Sequence, residues 1–237
     1  MDIVININNQ TNGRDKLARL AQYTSRLVWH QLEQRNANKY SIDRLKSLES
    51  NLSSFRKVLR LGRCVDICYT ALNSMNIDDP ILRISIAISK VAHSLFLFAD
   101  HVVWLTKSGF LKSDSDSWNQ TANKFWLISI IANLARDFYE ILNILELNKK
   151  TFLKPSALIF DSVRRNNWQT SANYMYTVLN CHKDIFIDTA KNTCDLFIPL
   201  TALGLTKLSP SAVGLLGTMS SMAALITIVK PITKLVP

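Results

Sequence analysis

Two cysteines, Cys64 and Cys68, stand one helical turn apart, and two histidines, His93 and His101, stand eight residues apart with Asp100 beside the second. These side chains come nearest to a chemical site. A zinc site built on Cys64 and Cys68 needs two further ligands at regular spacing, and the sequence has none. On a helix, His93 and His101 share a face but lie two turns apart, about 12 Å, too far to bind one metal unaided. Arg136 and Asp137 read as an ion pair and not as a catalytic couple. The phosphate-binding glycine loops, the nucleophile elbow and the H-E-x-x-H pattern do not occur in the sequence. The expectation is a protein without enzymatic activity, metal or cofactor.

Composition narrows the remaining classes. The chain has 237 residues, 48% of them hydrophobic, with only six Gly and six Pro. That balance favours helices over a many-turned β fold. Its net charge of +10 favours an anionic partner, either nucleic acid or an anionic membrane. The excess is uneven, since residues 41–63 carry six Lys or Arg against two acids. Cys64, Cys68, Cys181 and Cys194 read as small buried thiols in a reducing compartment. The start MDIVININNQ has neither the basic nor the apolar region of a secretory signal, and the final KLVP is not a matrix address of the SKL type.

Periodicity supplies the elements. Residues 14–34 read as an amphipathic helix, with Leu17, Leu20, Ala21, Leu27 and Val28 recurring at threes and fours. A second helix is expected from about 42 to about 73, ending before Asp78-Asp79-Pro80. Residues 81–106 are long enough to span a bilayer, but Lys90, His93, Asp100 and His101 lie inside them at a cost of about 2.5–3.5 kcal/mol per central charge. A helix from about 120 to 149 has an uncharged run of only eleven residues, 125–135, and reads as a core helix with one charged edge. Residues 150–172 read as polar and irregular, and another helix is expected from about 168 to 191. Pro199 and Pro210 are expected to break the stretch CDLFIPLTALGLTKLSP, 194–210. Between Lys207 and Lys230 lie twenty-two residues without a formal charge, reaching about 30 Å as a helix, a bilayer's hydrocarbon thickness. Gly214, Gly217, Ser221 and Ala224 in that stretch suit close helix packing in a membrane.

The segment SSFRKVLRLGR, 53–63, concentrates the question of function. Leu45, Leu48, Leu52, Phe55 and Leu59 form an apolar stripe about 80° wide on one helix. Arg56, Lys57, Arg60 and Arg63 collect beside and behind it. One reading is a bundle helix with a solvated basic face. The other is an interfacial helix whose stripe sinks into the acyl boundary while the four cations hold lipid headgroups. Periodicity alone leaves both open. Nucleic acid fits poorly, because Phe55 falls on the stripe and not among the arginines.

Five stretches in order resemble the peroxin-11 family, most of all its vertebrate beta-type branch: RDKLARLAQY (14–23), LESNLSSFRKVLRLGR (48–63), ADHVVWLTKSGFL (99–111), NLARDFYEI (133–141) and KNTCDLFIPLTALGL (191–205). The region 150–172 departs from it, being shorter than the Gly-rich linker of beta-type members. The resemblance implies an all-helical integral protein of the peroxisomal membrane with both termini in the cytosol. It implies self-association, and bending and elongation of the membrane through the amphipathic helix at 48–63, so that peroxisomes divide and proliferate. It also implies fission adaptors, a dynamin-related GTPase and the peroxin-19 receptor as partners.

The expected organisation is a cytosolic amphipathic region at 1–80 and an apolar helical hairpin at 81–149, itself a candidate for embedding. A helical linker region at 150–207, a transmembrane helix at 208–229 and a short cytosolic tail at 230–237 complete it. Two alternatives stay beside the membrane-shaping reading. One is a small-solute channel lined by Lys90, His93, Asp100 and His101. The other is a scaffold that activates the fission GTPase.

Overall fold

A computed structural model describes residues 10–152 and 182–229. Among them are seven α-helices, one short 3-10 turn and no strand. The helices are α1 (Thr11–Gln34), α2 (Lys39–Leu59), α3 (Arg63–Asn73), α4 (Pro80–Lys107), α5 (Ser115–Phe152), α6 (Lys183–Ala202) and α7 (Pro210–Val229), with the 3-10 turn at Ser74–Asn76. The protein is all-α, as its period of three to four predicts.

The local signals place most boundaries. Asp79 caps α4, its carboxylate accepting from the amides of Ile81 (2.9 Å) and Leu82 (3.3 Å), and Pro80 occupies the first helical position. Pro210 likewise opens α7. Two expectations are corrected. The helix expected from about 42 to 73 is two helices, because Gly62 adopts φ 78°, a left-handed conformation that interrupts the ladder. Pro199 does not break its segment: α6 runs on to Ala202, with the Pro199 carbonyl accepting from Leu203 N at 2.9 Å. Burial of Ile198 and Pro199 holds this turn in place. The irregular region 150–172, most of the helix expected from 168, and the tail 230–237 lie outside the described residues.

The helices form a bundle in which α4 and α5 pair most extensively. α1 packs on α7 and α2, α6 on α5 and α7, and α3 on α4. Two small apolar clusters sit within it. One holds Phe96, Leu97, Ala99 and Ala122, and the other Tyr23, Ile198 and Val213, with Trp126 against both. Otherwise the interior is markedly polar, for Asp15, Arg19, Gln22, Asp100, Asp137 and Asn192 are all buried. The outer face of α4 is apolar instead: Ile81, Ile84, Ile88, Val91, Leu95 and Phe98 are exposed at alternating steps of three and four.

The contact between α1 and α7 depends on small residues. Gly214, Gly217, Ser221 and Ala224 are all buried. A Cβ at Gly217 would overlap the Tyr23 ring, and one at Gly214 would lie 2.7 Å from the backbone nitrogen of Leu27. Overpacking of this kind typically costs about 1–3 kcal/mol. Gly217→Val is therefore expected to lower the melting temperature of the purified protein by several degrees in a thermal scan, and Tyr23→Ala in the same chain to recover part of the loss.

Candidate functional site

The basic residues of α2 point inward. Arg56 donates to Asp15 (3.1 Å) and to Gln22 (2.8 Å), both on α1. Lys57 pairs with Asp100 of α4 at 2.9 Å. Arg60, just past the end of α2, reaches the same carboxylate at 2.6 Å and Asp15 at 3.8 Å. Two acidic groups thus hold three cations from α2 and its C-terminal turn and tie that segment to α1 and α4. Asp15 is 1% exposed. Burial opposes its ionisation, but Arg56, Lys16 and Arg60 outweigh burial and hold its carboxyl below the usual range. Burial, reinforced by neighbouring Arg60, draws Arg56 down to about 10. Lys57 is lowered by burial, against the pull of Asp100.

This placement departs from the expectation that Arg56, Lys57 and Arg60 hold lipid headgroups. Their ionic partners lie inside the bundle, and turning outward would leave Asp15 and Asp100 buried without counter-charges. Of the four expected residues only Arg63 has a solely neutral side-chain partner, the amide oxygen of Asn12 at 3.3 Å. Turning the basic face inward sets the apolar stripe at the edge of the helix. Leu48 and Phe55 are 45% and 48% exposed, while Leu45, Leu52 and Leu59 are half-buried. Val58, Leu61, Val65, Tyr69 and Leu72 continue the exposed apolar surface onto α3.

Other ion pairs join the remaining helices. Arg19 of α1 makes a buried pair with Asp195 of α6. Burial works to lower Arg19, yet Asp195 and Tyr23 carry its pKa upward. Arg136 pairs with Asp137 at 2.6 Å, and Asn192 donates to the other Asp137 oxygen at 2.8 Å, linking α5 to α6. Spacing alone could mark the Arg136–Asp137 pair, but not its partner on α6.

The four polar residues of α4 do not share one path. Lys90 and His93 line a cavity of about 920 Å³, and His93 and Asp100 line an adjoining one of about 200 Å³. His101 is used elsewhere: its Nε2–H donates to the Arg60 carbonyl at 2.9 Å, at the break between α2 and α3. Cys64 and Cys194 are half-buried and Cys68 is exposed, so the expectation of buried thiols is corrected for these three. Among the described residues, no group of three or more His, Cys, Asp or Glu is placed to hold a metal.

Two of the described helices, α4 and α7, are long and apolar enough to cross a membrane. Residues 1–229 match the family model of peroxisomal biogenesis factor 11. This chain belongs to the peroxisomal biogenesis factor 11 family. It is 31% identical to peroxisomal membrane protein 11B of Bos taurus over 258 residues, covering 100% of both chains. Peroxisomal membrane protein 11A of Homo sapiens is 30% identical over 244 residues, 99% of each. The likeness extends to a homolog in Dictyostelium discoideum at 23% identity, covering 94% of this chain and 91% of that one. No solved structure matches the chain. Membership assigns this member a role in peroxisome biogenesis.

The buried pairs should behave as coupled units. Asp195→Leu alone strands Arg19 and is expected to cost about 3–5 kcal/mol, whereas Arg19→Met combined with Asp195→Leu should recover most of that stability in the same denaturation assay. A second expectation concerns pH. Burial and the neighbouring Arg19 lower Lys16 from 10.5 to about 7. Between those values the unfolded chain binds more protons than the folded one, so Lys16 makes stability rise as pH climbs from about 7 toward 10.5. Melting the protein at pH 7 and pH 9.5 should show this rise, and Lys16→Met should flatten it.

Proposed function

We propose that this protein resides in the peroxisomal membrane and bends and elongates it, with α2 as the wedge, so that peroxisomes divide and proliferate. The single observation that carries the reading is the outward apolar surface of α2 and α3, led by Leu48 and Phe55, which none of the described helices covers. Leu45, Leu48, Leu52, Phe55 and Leu59 enter the acyl boundary of the cytosolic leaflet, supported by the continuing surface at Val58 and Val65. A fully buried large apolar side chain gains about 1.5–3 kcal/mol, so the half-exposed Leu48 and Phe55 each retain about 1 kcal/mol to gain on insertion. A shallow wedge expands one leaflet and favours curvature.

The stripe does not work alone. α4 and α7 cross the bilayer, which brings both ends of the chain to the cytosol and keeps α2 at the surface. Arg63, together with the exposed Arg44, faces headgroup phosphates. Arg56, Lys57 and Arg60 act one step back, fixing α2 on α1 and α4 so that the wedge is rigid. Self-association would concentrate wedges, and fission adaptors, a dynamin-related GTPase and the peroxin-19 receptor are the partners this role implies.

The reading is tested with the full chain reconstituted into liposomes containing anionic phospholipid. Wild-type protein should draw tubules visible by negative-stain microscopy. Leu48→Glu with Phe55→Glu should abolish them, while the doubly substituted protein still inserts and resists carbonate extraction. Equal tubulation by the two proteins would overturn the wedge and leave α2 as a bundle helix only.

A further inference from the structure

Six cationic side chains line the cavity of about 920 Å³: Lys16 and Arg19 from α1, Arg63 from α3, Lys90 from α4, Arg136 from α5 and Lys191 from α6. Only two carboxylates, Asp188 and Asp195, face the same space. Both are already engaged, Asp195 by Arg19 and Asp188 by Arg136 and Lys191. The remaining cations have poor or neutral partners. Lys90 bonds the Ser74 hydroxyl (2.7 Å) and the Thr70 carbonyl (3.3 Å). Lys16 stands 3.9 Å from its carboxylate, Asp15, and Arg63 reaches only the Asn12 amide oxygen. The buried Nε–H of Arg19 has no hydrogen-bond partner.

Three cations, Lys16, Arg63 and Lys90, are therefore left without a close carboxylate of the lining around one half-open space. Like charges gathered there repel one another, and the two carboxylates of the lining are already taken. Burial lowers Lys16 most, and repulsion from Arg19 adds to it. A bound anion would relieve that repulsion. A single carboxylate or chloride supplies one charge and a dicarboxylate two. Two phosphate groups supply three or four, with oxygen acceptors spread widely enough to meet donors from five helices. The volume is that of a small-molecule site.

We propose that this cavity binds a small anion bearing two or more phosphate groups, either free or as the headgroup of a membrane lipid, with Lys16, Lys90 and the unpaired Arg19 Nε–H as principal donors. The proposal is independent of the wedge, since none of these donors lies on the apolar stripe.

The test uses the full chain in nanodiscs of phosphatidylcholine alone, titrated with pyrophosphate, and in matched nanodiscs that also contain phosphatidylinositol 4-phosphate. Saturable pyrophosphate binding is expected in the first, weakened at least about tenfold by Lys16→Gln with Lys90→Gln and unchanged by Lys112→Gln on the exposed loop. If phosphatidylinositol 4-phosphate blocks pyrophosphate in the wild type and the double variant relieves the block, the lipid headgroup is an occupant. If it does not, the site takes the free anion. Lys90→Gln alone, with helicity checked by circular dichroism, keeps the test valid should the double variant fold poorly. Absence of saturable binding to the wild type, or equal binding by wild type and well-folded variants, would overturn the proposal.

Discussion

Asp15 and Asp100 are the two buried acids on which the placement of α2 depends. Between them they must neutralise Arg56, Lys57 and Arg60, and they sit on different helices, so α2 and its C-terminal turn are pinned from two sides. Stranding either carboxylate inside the bundle would cost several kcal/mol. That penalty sets the rotation of α2 about its axis. With the basic face held inward, the apolar stripe has nowhere to go but the rim and the outside. What leaves Leu48 and Phe55 uncovered is thus an electrostatic constraint, and the hydrophobic effect alone would have turned the helix the other way.

The same inversion runs through the bundle. α4 presents Ser89, Asp100 and His101 to the interior and a continuous row of Ile, Val, Leu and Phe to the outside. α7 exposes Leu215, Met219, Met222 and Ile226 and buries Gly214, Gly217, Ser220 and Ser221. In water this distribution would be costly. In hydrocarbon it is favourable, because lipid takes the apolar face while the polar groups find one another inside. Small residues on α7 let the backbone of α1 approach closely.

A good part of this architecture was legible from spacing. The limits of α1 and α4 follow from apolar periodicity and from the Asp79-Pro80 start signal, and the uncharged stretch after Lys207 marks α7. The misreadings have local causes. Gly62 was hidden in an otherwise periodic segment, and only its left-handed backbone splits α2 from α3. Pro199 looked like a breaker, but packing of Ile198 and Pro199 against neighbouring helices carries α6 past it. His93 and His101 stood together in the channel alternative, yet one lines the cavities and the other bonds the Arg60 carbonyl.

By itself the sequence determined the helical class, the two apolar stretches and the five family segments, because each rests on residues close together in the chain. The inward turn of Arg56, Lys57 and Arg60 was decided by tertiary structure. So were the pairing of Arg19 with Asp195, 176 positions away, and the gathering of six cations around one cavity. A cation's sequence neighbours say that it is charged and which helix face it occupies. Whether it meets water, lipid or a carboxylate depends on which distant helix lies opposite, and only the packed bundle settles that.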